Sequence, residues 1–293
     1  MLFRHNSLTL KSYSKINLSL NIVGLREDGY HFIDSVMLPT TIHDTVEVRV
    51  APYSGTTTVV CDEVLLQRNH HNLCLNAVNA MRERYHFKEN FTINIHKVIP
   101  VSSGMGGGSS NAATVLIAIN KLLHLNATQE ELKEIALQIG TDVPFFLNPR
   151  PARIQGIGEK IEFVPCDHNY YVLVVKPLKG LLTKEVYYEE NGHKGSSIET
   201  EALLKALKDG DDNALPSLVS NGLLSAALVL YPELEDVIKE VKELGFSIVS
   251  MTGSGSAVFV LSDNKKAIEK AEYTLIERGY KVEVGKAGEI IPQ

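Results

Sequence analysis

Four glycines fall within five residues, Gly104, Gly106, Gly107 and Gly108, and run directly into Ser109 and Ser110. Glycine lets the backbone turn its N–H groups toward one point. The first N–H groups of a helix have no partner inside it, so a glycine loop ahead of a helix forms a concave anion site. Ordering so many glycines costs backbone entropy with no core burial in return. That favours a phosphate cradle over a flexible strand-to-helix turn. The loop lacks the Gly-Lys-Ser/Thr ending of a Walker A loop. Counted from Gly104, the last position of a GxGxxG pattern holds Ser109, which disfavours a dinucleotide fold. The protein-kinase tripeptides HRD and DFG are absent. Chemistry on a bound phosphate also needs a proton acceptor and a cation. Asp142, just ahead of Val143-Pro144, is placed to cap a helix that starts there. Lys15, taken alone, reads as a lysine on an exposed strand face.

These residues need elements to hold them. Ser14 to Gly24 alternates apolar Ile16, Leu18, Leu20 and Ile22 with polar Lys15, Asn17, Ser19 and Asn21. That period of two predicts a half-buried strand with Lys15 and Asn17 on its polar face. Further strands are expected at Phe32–Leu38, Thr45–Ala51, Thr56–Cys61 and Phe91–Val98. Asn72 is placed to cap a helix running to about Arg84, and a helix from Ala112 to about Leu123 follows the glycine loop. Thr128 and Glu131 form a capping box for another helix, stopped by Gly140. The second half should contain a strand at Tyr170–Val175 and helices at Ser197–Lys208, Ala214–Leu228 and Pro232–Leu244. Strands Ser247–Met251 and Ala257–Leu261 flank a second glycine loop, Thr252-Gly253-Ser254-Gly255. A helix at Lys265–Arg278 and a strand at Tyr280–Val284 complete the reading, with Glu189–Ser197 as a mobile loop.

A chain of 293 residues suggests two domains, and the change of organisation puts their junction near 155–169, giving 1–160 and 161–293. A charge of −6 disfavours a nucleic-acid binder. No apolar run approaches the length of a membrane helix, and the N-terminus shows no secretory signal. Cys61, Cys74 and Cys166 form no CxxC pair and read as free thiols of a cytoplasmic protein. The His70-His71 pair looks like a metal site at first glance, but adjacent side chains diverge and no third ligand stands nearby, so a surface loop is expected.

Three segments together resemble the motifs of the GHMP kinases. Ser14-Lys15-Ile16-Asn17-Leu18-Ser19-Leu20 is similar to the first. Pro100-Val101-Ser102-Ser103-Gly104-Met105-Gly106 is similar to the second, with Met105 where leucine is usual. Met251-Thr252-Gly253-Ser254-Gly255-Ser256-Ala257-Val258-Phe259 is similar to the third, with Thr252 where serine is usual. The resemblance implies an α+β, two-domain GHMP kinase fold: an N-terminal ribosomal protein S5 domain 2-like half, a C-terminal ferredoxin-like half, and an active site in the cleft between them. It implies an ATP-dependent small-molecule kinase with Mg²⁺, Lys15 and Asp142 as catalytic groups, and Pro100 to Ser110, Asn72 and Lys97 around the nucleotide. Ser109 or Ser110 is the candidate protein ligand of the Mg²⁺; plain roles as helix caps, and for Lys97 as a strand-end lysine, stay open.

Within the family, Arg26-Glu27-Asp28-Gly29-Tyr30-His31, Gly106–Ala113 and Gly140-Thr141-Asp142-Val143-Pro144-Phe145-Phe146 resemble the members that phosphorylate the 2-hydroxyl of a methylerythritol carrying cytidine diphosphate. Asn17, Tyr30, His31, Thr183, Tyr187, Gly253 and Ser254 would then bind this acceptor, with Tyr30, His31 and Tyr187 at the cytosine; a packed helix tyrosine is the other reading of Tyr187. The chain departs from the family pattern at Tyr13-Ser14, at Asn221-Gly222-Leu223 and at Arg150-Pro151-Ala152-Arg153. A GHMP kinase for another alcohol, or a non-catalytic binding protein on this fold, is the alternative. The partner is a small molecule, and the chain is expected to be a monomer or weak homodimer.

Overall fold

The computed structural model describes residues 6–51, 55–63, 72–166, 168–190 and 199–291. His70-His71 and most of the Glu189–Ser197 segment lie outside the described residues. In chain order the elements are β1 (Ser7–Leu25), β2 (His31–Ala51), β3 (Thr58–Cys61), α1 (Leu73–Tyr85), β4 (Asn90–His96), α2 (Gly107–Leu123), α3 (Gln129–Ile139), a 3-10 turn (Pro144–Leu147), β5 (Ala152–Gly156), β6 (Lys160–Phe163), β7 (Tyr170–Lys176), α4 (Thr183–Glu190), α5 (Thr200–Asp209), α6 (Leu215–Leu218), β8 (Ser220–Asn221), α7 (Leu224–Leu230), α8 (Leu234–Glu243), β9 (Ile248–Met251), β10 (Val258–Ser262), α9 (Lys265–Glu277) and β11 (Lys281–Ala287).

Strand β2 organises the sheet. Strand β1 runs antiparallel along its whole length, with register shifts after Tyr13, Asn17 and Ile22. On its other edge β2 meets three strands in succession: β5 at Ile33–Met37, β11 at Thr40 and β4 at Thr45–Ala51. Because β11 also pairs with β7, and β7 with β10, the strands of the two halves form one continuous sheet. The two strands expected at Phe32–Leu38 and Thr45–Ala51 are therefore a single strand. Pro39 sits within it beside an irregularity in the register, where the missing N–H is tolerated.

The half-buried reading of the first strand is overturned. From Ser14 to Asn21 every residue of β1 is buried. Ile16 and Leu18 pack into an apolar cluster with Val36, Leu38, Val172, Val174 and Phe259. The polar set on the other face is buried too, because it lines the interior of a site. Met105 is wholly buried in the same cluster, so the side chain that replaces leucine in the glycine loop pins the loop to the core.

Helix α2 begins at Gly107, five residues ahead of the expected Ala112. Glycine is a poor helix former, but the first turn needs no partner for its N–H groups, and Gly106 caps it at φ 74°. The run Ser110–Ile119 is buried on all sides, which fits a helix enclosed between the sheet and its neighbours α1 and the 3-10 turn. The Thr128–Glu131 capping box and the Asn72 cap both form. The helix expected at Ala214–Leu228 is broken into α6, the short strand β8 and α7. Pro216 stands in the first turn of α6, and Gly222 follows β8. Glu189 and Glu190 end helix α4 rather than belonging to a loop.

Candidate active site

Lysine 15 enters the site from β1 with its side chain almost wholly buried. Its Nζ donates to Asn17 Oδ1 at 2.6 Å and to the carbonyl of Gly104 at 2.6 Å, while its backbone N–H donates to the carbonyl of Met105 at 3.1 Å. The lysine strand and the glycine loop are thus joined by both main chain and side chain. Asn17 is oriented in turn: its Nδ2 donates to Ser35 Oγ at 2.8 Å, and Thr252 Oγ1 donates to its Oδ1 at 3.3 Å.

The second glycine loop closes over the first. A Cβ on Gly104 would lie 2.0 Å from the Thr252 carbonyl, and one on Gly253 would lie 2.5 Å from the Gly104 carbonyl and 3.1 Å from Lys15 Nζ. Both positions have positive φ, so only glycine allows this approach. Ser256 and Ala257 donate backbone N–H groups to the carbonyls of Ser102 and Ser103, each at 3.3 Å. Asn221 holds the second loop from behind. Its Nδ2 donates to the carbonyls of Met251 and Gly253, both at 2.8 Å, and its Oδ1 accepts the Leu223 N–H at 2.9 Å. In the sequence Asn221 stands only within a departure from the family pattern, and nothing local marks it, because the carbonyls it holds lie 30 and 32 residues away.

Asp142 sits half-buried after α3, and the cap of the 3-10 turn is Val143, with no side-chain capping bond. The Asp142 carboxylate does not cap the turn, contrary to the N-cap reading. Burial holds Lys15 below the usual lysine range, and the charge of Asp142 acts against that. Burial also pushes the Tyr187 phenol above its usual range, with the nearby Asp142 charge adding to the shift. Lys15, Asp142 and Tyr187 thus share one electrostatic neighbourhood although they come from β1, the turn after α3 and α4.

On α4, the Tyr187 ring meets the His31 ring with centroids 5.1 Å apart, and Thr183 Oγ1 lies 2.9 Å from Ser254 Oγ. Tyr30 is not part of this pair. It is 54% exposed, with the Arg26 guanidinium 5.5 Å from its ring centroid.

At the helix entrance, Ser110 is buried and accepts from Ser12 Oγ at 2.7 Å, whereas Ser109 is half-buried. Val101 is half-buried and Ser102 exposed, so the rim of the loop is open while Pro100, Ser103 and Met105 are packed beneath it. Lys97 lies under the start of α2, its Nζ 3.0 Å from where a Gly107 Cβ would stand, and is paired with Asp44. Gly108 is exposed and has ordinary room for a Cβ. Asn72 is occupied as the α1 cap, accepting the Cys74 N–H at 2.9 Å. Among the described residues no group of three or more His, Cys, Asp or Glu side chains is placed to hold a metal ion, and no helix is long and apolar enough to cross a membrane.

The family models for the GHMP kinases N terminal domain and GHMP kinases C terminal match residues 72–149 and 203–281. A 4-diphosphocytidyl-2-C-methyl-D-erythritol kinase of Acetivibrio thermocellus is 36% identical over 261 residues, covering 89% of this chain and 92% of the relative. One from Carboxydothermus hydrogenoformans is 38% identical over 270 residues, covering 92% of this chain and 93% of the relative. A crystal structure of 4-(cytidine 5'-diphospho)-2C-methyl-D-erythritol kinase superposes with a TM-score of 0.79 at 29% identity, over 96% of this chain and 100% of the other. Homoserine kinase from Cytophaga hutchinsonii shares the fold, with a TM-score of 0.74 at 18% identity over 98% of this chain and 96% of the other. With both family models matched and relatives above 30% identity along most of its length, the chain belongs to the GHMP kinase family.

Proposed function

We propose that this protein transfers the γ-phosphoryl group of ATP to the 2-hydroxyl of 4-diphosphocytidyl-2-C-methyl-D-erythritol, a step of the non-mevalonate isoprenoid pathway. The relatives are named as kinases of that acceptor. The observation that carries the proposal onto this chain is the convergence of Lys15 with the Gly104 carbonyl and with the Asp142 charge.

The chemistry follows from what the residues offer. The amide groups of the glycine loop and of the start of α2 cradle the ATP phosphates. Asp142 takes the proton of the acceptor hydroxyl as its oxygen bonds to the γ-phosphorus, and the bond to the β-phosphate oxygen breaks to release ADP. Lys15 stabilises charge on the transferring group. Its bonds to Asn17 and Gly104 hold it in place, so little reorganisation is needed at the moment of reaction. A Mg²⁺ ion bound with the nucleotide would neutralise phosphate charge. Ser109 is the hydroxyl at the helix entrance suited to hold it, since Ser110 is committed to Ser12.

Tyr187 and His31 form the cytosine pocket, with Thr183, Gly253 and Ser254 between it and the reacting hydroxyl. Tyr30, exposed beside His31, supplies a further aromatic face for the base. The site lies between the halves 1–160 and 161–293, which we read as two domains, and the enzyme works in the cytoplasm as a monomer or weak homodimer. The test is kcat/KM for the cytidylyl acceptor against free methylerythritol phosphate. A strong preference for the cytidylyl compound is expected. Equal use of the two would leave a GHMP kinase with another acceptor.

A further inference from the structure

The Asp44 carboxylate is wholly buried and carries four donors. Oδ1 accepts the backbone N–H groups of Val98 and Ile99, each at 2.8 Å. Oδ2 accepts Asn111 Nδ2 at 2.9 Å and pairs with the Lys97 ammonium. Val98 and Ile99 lead into Pro100 and the glycine loop, and Asn111 stands at the start of α2 where the loop ends. One carboxylate therefore holds the chain on both sides of the loop.

A second residue of the same design stands opposite. Ser12 is the cross-strand partner of Asp44 in the β1–β2 register. Its hydroxyl accepts from the same Asn111 Nδ2 at 2.9 Å and donates to Ser110 Oγ at 2.7 Å.

We infer that Asp44, with Ser12, is a positioning residue for ATP: it fixes the span between the two ends of the glycine loop and the place of the Lys97 ammonium under the first turn of α2. The inference rests on the reading of the glycine loop as the ATP cradle. A loop containing several glycines has many conformations to lose when phosphate binds. Fixing its ends beforehand removes part of that cost, which appears as affinity for the nucleotide. Lys97 gains from the same arrangement. Unpaired, an ammonium so deeply buried would be costly; paired with Asp44, it is held 3.0 Å from where a Gly107 Cβ would stand, close to the helix N–H groups that face phosphate.

The test uses the full-length chain, with ATP binding by calorimetry and separate steady-state KM values for ATP and for the acceptor. In D44N an amide nitrogen replaces one acceptor and faces donors. We expect ATP to bind about tenfold or more weakly, with acceptor KM within about twofold of wild type. A general loss of structure would move both constants together. S12A trims only one hydroxyl and carries the test if D44N does not fold; its expected loss is about three- to tenfold in ATP affinity alone. A folded variant that keeps wild-type ATP affinity, or loses both substrates equally, overturns the inference while leaving the kinase reading standing. A wild-type chain that binds no ATP overturns both.

Discussion

The Lys15 ammonium donates to the backbone carbonyl of Gly104 across 2.6 Å, so the cation of the first motif is held by the loop of the second. A cation held by a main-chain oxygen cannot drift without moving the loop that carries it, so the Lys15 charge and the glycine loop are fixed relative to each other.

Asp142→Asn should remove most turnover and leave ATP binding largely intact, because a catalytic base contributes roughly 100- to 10,000-fold and the nucleotide is held elsewhere. Single-turnover kinetics together with calorimetry on the folded variant separate the two. Near-normal turnover would rule out the base role.

Gly104→Ala should cost both stability and activity. Its Cβ would stand 2.0 Å from the Thr252 carbonyl, on a backbone already at φ 76°. The left-handed conformation alone costs about 1–2 kcal/mol for a residue with a Cβ, and the clash adds to it by forcing the two glycine loops apart. Denaturant unfolding should show the loss. By contrast Gly108→Ala, which meets only a Leu73 methyl at 3.8 Å, should unfold much like wild type.

Lys176 gives a pH-dependent prediction. It is 8% exposed, and its Nζ donates to the carbonyls of Pro177 at 2.7 Å and Lys179 at 3.0 Å. Burial is the main cause that brings its pKa down to about 8 from 10.5. Between those two values the unfolded chain holds a proton that the folded chain has released, so stability rises with pH across that window. Relative to Lys176→Met, wild type should gain stability from about pH 8 to pH 10.5 and show a constant difference below it. Paired urea titrations across this range measure the slope, and a difference independent of pH would contradict the assignment.

Tyr187→Ala should weaken acceptor binding by about 1–3 kcal/mol, the range for an aromatic group stacked on a base. ATP affinity should be unchanged, because the His31–Tyr187 pair belongs to α4 and the start of β2 rather than to the glycine loop. Loss of ATP affinity in this variant would mean that the two pockets are exchanged.

Much of this site is legible in the chain because its parts are local. The glycines of 104–108, the Thr128–Glu131 box and the Asn72 cap each act within a few residues, and all can be read from spacing. Lys15 and Asn17 are different. Period two places them on a polar face of a half-buried strand, which taken alone reads as exposed. In the structure that face is interior, and its polar atoms are satisfied by Gly104, Ser35 and Thr252, each distant in sequence. The roles of Asp44 and Asn221 are non-local in the same way. Asp44 stands just ahead of an alternating strand, and Asn221 lay inside a stretch read as one helix; their partners become visible only once β2, β8 and the two glycine loops are assembled. The continuous β2 escaped because Pro39 reads as a break, and the register irregularity that accommodates it has no local signature.

The central claim is tested most directly by identifying the product. Wild-type protein, ATP with Mg²⁺ and the cytidylyl methylerythritol substrate should be followed by phosphorus NMR. The account predicts ADP and, in equal amount, one new phosphomonoester on the 2-hydroxyl, both formed roughly 100-fold or more slowly with Asp142→Asn. ADP released without a phosphorylated acceptor, or an ester on any other hydroxyl, would contradict it.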